Sequence, residues 1–150
     1  MRDELRDAKR PPATYVLTAL LLFQGLSGVA GGIGLIGDPT GEAIGISSTW
    51  LEGSPFRNYL IPGVVLFAVL GIGPLLVAWA VWVGRQWSWM AALIVGAALV
   101  VWITVQVLVV GYQPMPPLQA FYGTLGILLV GLSMLASVRR YATQRGGIDR

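Results

Sequence analysis

The chain has no cysteine and no histidine among its 150 residues, and charged residues make up only 11% of it. Without cysteine, disulfides, thiolate metal sites and iron–sulfur clusters are excluded. Without histidine, the chain lacks the commonest metal ligand and the commonest general base, and also every nucleophile that needs a histidine partner. The sequence therefore predicts no metal, no cofactor and no assignable catalytic residue, and it argues against an enzyme.

Charge is also absent from two long stretches, residues 58–84 and 86–138. Hydrophobic residues reach 55% of the chain, whereas a soluble domain has roughly 45–50% apolar and about 25% charged residues. This composition excludes an ordinary soluble domain and a disordered tail, and it indicates an integral membrane protein. Ion pumps and proton relays usually have a carboxylate inside the membrane, and these two stretches have none.

Four apolar stretches approach or exceed the length of about 20 residues that a spanning helix needs. We predict an all-α polytopic membrane protein, a four-transmembrane-helix bundle that forms one domain over residues 1–150. An outer loop covers 38–58, with basic tails at 1–12 and 139–150. Ser54 and Pro55 could also start the second helix earlier, as an N-cap followed by a first-turn proline. The predicted spans are 13–37, 59–83, 89–111 and 118–138.

The basic residues predict the orientation of these spans. With four spans both termini share a side, and nine of the ten basic residues fall on that side, opposite Arg57 alone. The positive-inside rule then places both termini in the cytoplasm, in a multi-pass protein of the cell membrane. The alternative for the first span is a cleaved signal peptide at Gly28-Val29-Ala30. We expect a retained helix, because the apolar run continues to Gly37 and the preceding segment is acidic as well as basic.

Small residues and one proline predict how the helices meet. Gly28 and Gly32 on the first span, and Ala92 and Gly96 on the third, have the four-residue spacing of close helix contacts. We expect packing within the bundle, with contact between copies as the alternative. Gly71, Gly73 and Pro74 interrupt the second span; a static kink is the favoured interpretation and a hinge the alternative.

Polar residues near the outer side predict a ligand site. An amide in hydrocarbon must face protein or water, so Gln24 should bond a serine or a backbone group on another helix. The others could line an outward-facing pocket for a lipid headgroup or a small polar ligand, or could merely seat a loop. A short interfacial helix is predicted over 48–52, where Thr49 and Glu52 have capping-box spacing. The predicted pocket residues are Gln106, Gln119, Asn58, Tyr59, Tyr112, Tyr122 and Glu52.

Three segments resemble a family of small four-span bacterial membrane proteins that has no assigned activity. They are Trp50-Leu51-Glu52-Gly53-Ser54-Pro55-Phe56, Tyr59-Leu60-Ile61-Pro62-Gly63, and Trp102-Ile103 followed by Val105-Gln106. The resemblance covers most of the chain. It implies the same topology in a bacterial inner membrane, and it transfers no catalytic residue.

The sequence leaves three functions open. The first is a non-enzymatic accessory or scaffold subunit that acts through helix contacts. The second is a transporter, a channel-like oligomer or a lipid-binding protein. The third, ranked last, is an enzyme using Glu52 or Asp38 at the outer surface. The expected partners are the lipid bilayer and either a second copy or another membrane protein; nucleic acid is not expected, because the basic residues flank the spans.

Overall fold

The computed structural model describes residues 10–146, and this part of the chain is helical with no β-strand. The predicted tails 1–12 and 139–150 therefore lie partly outside the described residues. Two short 3-10 helices, Glu42–Ile44 and Ser48–Leu51, lie in the 38–58 loop. The longer helices are α1 (Pro12–Gly37), α2 (Leu60–Val83), α3 (Ser88–Val110), α4 (Leu118–Met134) and α5 (Ala136–Gly146).

Three of these helices, α1 to α3, are long and apolar enough to cross a membrane, and their bounds agree with the predicted spans to within one residue. The predicted span 118–138 is not one straight helix. It breaks at Leu135, whose backbone is extended, and α5 leaves α4 at an angle of 58°. The two count as a fourth span only if the bent pair is taken together. The break follows the composition, because α5 carries three arginines and α4 none.

The helices form two hairpins that pack on each other. One pairs α1 with α2, the other pairs α3 with α4, and the second half of α2 also contacts α3. A single apolar core runs between them. Its buried side chains include Leu17, Leu21, Leu70, Val77, Val81, Val95, Leu99, Leu125, Leu129 and Val138.

The 38–58 loop is well connected to the helix ends. Pro39 accepts a backbone hydrogen bond from the Tyr59 amide at 2.9 Å, and Gly41 takes a positive φ of 84° that suits glycine. The predicted helix at 48–52 is present as a 3-10 turn, but Ser47 rather than Thr49 caps it, with its hydroxyl accepting from the Thr49 amide at 3.3 Å. The earlier start for α2 at Ser54 and Pro55 is wrong, because α2 begins at Leu60.

Candidate functional site

Two of the predicted pocket residues are buried and hold backbone in place. Gln119 Nε2 donates to the Gly111 carbonyl at 3.1 Å, and Gln119 Oε1 accepts from the backbone amide of Gln113 at 2.8 Å. The Tyr59 hydroxyl donates to the Ser47 carbonyl at 2.8 Å. Gln119 thus fixes the connection between α3 and α4, and Tyr59 fixes the 38–58 loop.

The other five predicted pocket residues have separate surroundings. The side-chain oxygen of Asn58 accepts from the Leu60 backbone amide at 3.1 Å, in a local turn at the start of α2. Glu52 and Tyr112 are exposed, whereas Tyr122 is half-buried and packs edge-on to the Phe121 ring. Gln106 is half-buried on α3. Among residues 10–146, no hydrogen bond joins any two of the seven, so the outward-facing pocket stays a prediction.

The carboxylate of Asp38 organises the turn after α1. It accepts from the Thr40 hydroxyl at 2.6 Å, from the Ala43 amide at 2.9 Å and from the Thr40 amide at 3.1 Å. These donors favour the ionised form and hold the pKa of Asp38 below its usual value. Asp38 is one of the two carboxylates considered for an enzyme at the outer surface. Its carboxylate oxygens already accept hydrogen bonds from the loop.

The four predicted packing residues lie at helix contacts. A Cβ at Gly28 would overlap the Leu70 carbonyl oxygen, and one at Gly32 would stand 2.7 Å from the Phe67 backbone. A Cβ at Gly96 would stand 2.8 Å from the Val130 amide nitrogen of α4. Ala92 is fully buried in the core. The α1–α2 contact at Gly28 and Gly32 and the α3–α4 contact at Gly96 therefore bring the helix backbones together within one chain.

The kink residues meet α1 through Gln24. Gly71 belongs to a π-helical stretch, Ala68–Ile72, that Gly73 and Pro74 follow directly. Proline has no amide hydrogen to donate one turn back, so Pro74 cannot bond the Leu70 carbonyl. Gln24 Nε2 donates to that oxygen at 3.1 Å, and its side chain is 1% exposed. The predicted bond from Gln24 to a backbone group on another helix is confirmed.

Sequence reasoning missed a cluster at the opposite end of the bundle, which we call the Tyr141 site: Arg10, Tyr141 and Arg145. Arg10 Nε donates to the Tyr141 hydroxyl oxygen at 3.0 Å, and Arg145 Nη1 donates to the same oxygen at 2.5 Å. The four-residue spacing of Tyr141 and Arg145 is visible in the sequence. Arg10 lies 131 residues away from Tyr141 in the chain, so only the fold brings it there.

Tryptophan rings orient the arginines at this end. The Arg10 guanidinium lies 3.9 Å from the Trp82 ring centroid, and Arg139 lies 4.7 Å from that of Trp89. Both distances are in the range of cation–π contacts. Arg10, Arg85, Arg139, Arg140 and Arg145 all fall at this end, which we call the basic end.

Within residues 10–146 no group of three or more His, Cys, Asp or Glu side chains could hold a metal ion. Comparison of the chain with models of known protein families, with curated proteins and with solved structures finds no match in any of the three. The resemblance to a four-span bacterial family accordingly stays a prediction.

Proposed function

We propose that the protein is a non-enzymatic, four-span integral membrane protein of the cell membrane, with both termini in the cytoplasm. In this proposal it acts as an accessory or scaffold subunit through the apolar faces of its helices. The orientation is supported by the basic end, where five arginines lie, while Arg57 alone lies in the loop at the other end. The positive-inside rule assigns such an end to the cytoplasm.

The scaffold role is supported by the hydrogen bonds of the buried polar side chains. Four of the six buried polar side chains among residues 10–146, those of Gln24, Gln119, Thr18 and Ser133, donate to a backbone carbonyl. Two buried oxygens in the same range, Thr14 Oγ1 and Gln24 Oε1, have no hydrogen-bond partner within it. A polar path through a bundle needs side chains free to face water or a solute. Because the donors of these four side chains are already bonded to backbone carbonyls, they favour a structural bundle whose function lies on its outer faces.

The face of α3 gives this proposal a definite surface. Ile94, Val101 and Leu108 recur every seven residues and are 62%, 61% and 79% exposed. Residues seven apart lie about two turns apart on one face of a helix, so these three side chains form one apolar face along α3. We propose that this face contacts a second copy or another membrane protein.

Disulfide trapping in native membranes tests that surface, because the chain has no cysteine of its own. Val101→Cys on the exposed face should give a cross-linked dimer, or a mixed disulfide with a partner protein. Ile103→Cys, which is half-buried against the core, is the matched control and should give neither. Equal cross-linking at the two positions, or none at Val101, would contradict contact through this face.

The alternative is a transporter, a channel-like oligomer or a lipid-binding protein with an outward-facing pocket, and one residue favours it. Gln106 is half-buried on α3, and no hydrogen bond ties its amide among residues 10–146. A permeation path would lose flux in liposomes when Gln106 is changed to Leu. If the protein is a scaffold, Gln106→Leu should leave expression and assembly unchanged, and neither the parent nor the variant should show flux.

A further inference from the structure

The Tyr141 hydroxyl has an unusual set of neighbours. A phenol oxygen offers two acceptor lone pairs and one O–H donor. Arg10 and Arg145 both donate to it, so its acceptor positions are taken. Its proton has no acceptor among residues 10–146. The site thus holds two half-buried guanidinium groups around the hydroxyl donor of the buried Tyr141, with no acceptor left of its own.

Like charges have been brought together here without a described counter-charge. Two guanidinium groups that share one oxygen repel each other, and an anion between them would remove that cost. The acidic residues among 10–146 are Asp38, Glu42 and Glu52, and all three belong to the loop at the other end of the bundle.

Packing holds both arginines in place. The aliphatic part of Arg145 lies against Gly84, where a Cβ would stand 2.8 Å from its Cδ. Gly84 has a φ of 76° and ends α2. Arg10 lies over the Trp82 ring, which also meets the Tyr15 ring edge-on at 6.0 Å between ring centroids. A site whose donors are fixed before binding loses less conformational entropy on binding.

We propose that Arg10, Tyr141 and Arg145 bind one phosphate group. Guanidinium forks match phosphate oxygens in geometry and charge, and a tetrahedral phosphate has enough oxygens to receive both forks and the hydroxyl. The phosphate has two sources, the headgroup of an anionic lipid or a soluble phosphate compound. This inference does not depend on the scaffold role, because it concerns the basic end and not the face of α3.

Binding to the full-length chain in detergent is measured by native mass spectrometry. The probes are short-chain phosphatidylglycerol, inorganic phosphate, and short-chain phosphatidylcholine, whose phosphate is balanced by its own quaternary ammonium and which should therefore bind more weakly. Tyr141→Phe removes only the hydroxyl, and Arg145→Gln removes one fork. Arg140→Gln is the matched control, since it removes the same charge from an exposed position on α5.

We expect one phosphatidylglycerol per chain and at least about tenfold weaker binding in Tyr141→Phe and Arg145→Gln, the loss typical of a hydrogen bond to a charged group. Arg140→Gln should bind as the parent does. If inorganic phosphate binds with the same dependence on Tyr141 and phosphatidylglycerol binds no better, the site is confirmed with a soluble phosphate as its source.

Two results would overturn the proposal. One is an equal loss in Arg140→Gln and Arg145→Gln with none in Tyr141→Phe, which would mean unspecific attraction to a basic surface. The other is binding that appears only after Asp3, Glu4, Asp7 and Asp149 are changed to amides, which would mean that acidic residues outside residues 10–146 neutralise these arginines. Circular dichroism and size-exclusion profiles of each variant check that it is folded.

Discussion

Gln24 and Pro74 are linked through one carbonyl oxygen, although they lie on different helices. Pro74 has no amide hydrogen to offer the Leu70 carbonyl one turn back, and Gln24 Nε2 donates to that oxygen at 3.1 Å. Gln24 Oε1 is itself buried without a hydrogen-bond partner. The hydrogen bond from Gln24 Nε2 to Leu70 is thus partly offset by the buried Oε1, which has no partner among residues 10–146. The net stabilisation from Gln24 should therefore be small.

This link predicts a coupling between two substitutions. Gln24→Leu should lower the free energy of unfolding by about 0.6 kcal/mol, the average for interhelical hydrogen bonds in membranes. In the Pro74→Ala background the new backbone amide can bond the Leu70 carbonyl. Gln24→Leu should then lower the free energy of unfolding by close to nothing. Unfolding of the helical signal by titration with SDS measures both costs. Equal costs in the two backgrounds would show that Gln24 and Pro74 act independently.

Asp38 predicts a pH dependence of the loop after α1. Since the pKa of Asp38 is lowered in the folded loop, its contribution to stability is fully present above the ordinary value of 3.8 and is lost as pH falls through the lower folded value. Protection of the Ala43 amide from hydrogen exchange should therefore be full at about pH 5 and should fall only when the pH drops below 3.8, through the lower folded value.

Asp38→Asn should show the weaker protection throughout this pH range, because a neutral amide accepts less strongly than a carboxylate. Glu42→Gln is the control, since Glu42 is exposed and accepts no described hydrogen bond through its carboxylate. A protection that does not change with pH in the parent chain would contradict this role of Asp38.

At the scale of elements, α1 and α2 approach through glycine and not through side chains. Gly28 and Gly32 leave room for the backbone of α2 at Leu70 and Phe67. In the opposite direction, Gly71 on α2 leaves room for the backbone of α1, since a Cβ there would stand 2.8 Å from the Val29 amide nitrogen. Small residues on both sides let dispersion contacts between helix backbones hold the pair.

Gly28→Ala should therefore destabilise the hairpin of α1 and α2 by about 1–3 kcal/mol, the usual cost of overpacking a tight contact. Gly37→Ala, on the same helix with nothing within 4 Å of its Cβ position, should change stability little. The SDS concentration at the unfolding midpoint compares the two. Similar midpoints for both variants would mean that the helices can separate at no cost.

The bend between α4 and α5 follows from amphipathicity. Val138, Tyr141 and Ala142 are buried on one side of α5, while Arg139, Arg140 and other polar residues are exposed on the other. A helix with one apolar side is stable against the end of a bundle, whereas its arginines would be costly along a straight path through hydrocarbon.

At the scale of the whole molecule, charge is separated between the two ends. Within residues 10–146 the three acidic residues and Arg57 lie in the 38–58 loop, and the other five basic residues lie at the basic end. This asymmetry is what an oriented membrane protein needs, and it predicts which positions water-soluble reagents reach from each side.

Single cysteines test that orientation, because the parent chain has none. Glu42→Cys should react with a membrane-impermeant maleimide added to intact cells. Gln86→Cys and Gln144→Cys, both exposed near the basic end, should react only after the membrane is opened. Labelling of Gln86→Cys in intact cells would reverse the proposed topology.

Much of the fold could be predicted from the sequence, because long uncharged apolar stretches indicate helices of spanning length and the charges mark where they stop. The bounds of α1, α2 and α3 follow from that alone. The arginines from Arg139 onward indicate that an apolar helix must end near there. The position and angle of the bend at Leu135 could not be predicted, since Leu135 is an ordinary helix former and the bend depends on the bundle end against which α5 packs. The predicted site residues Gln119 and Tyr59 likewise appear polar and available in the sequence, while the fold commits them to the backbone.

The sequence by itself determined the helical class, the segments long enough to span a membrane and the small-residue spacing at Gly28 and Gly32, because hydropathy and spacing are local properties. The partner of each glycine, Leu70 for Gly28 and Phe67 for Gly32, came only from the structure. Only the tertiary structure decided which polar groups meet. Gln24 reaches Leu70 across 46 residues and Arg10 reaches Tyr141 across 131. Hydrogen bonds act over about 3 Å, so such pairs exist only once the helices have packed and brought distant residues within reach.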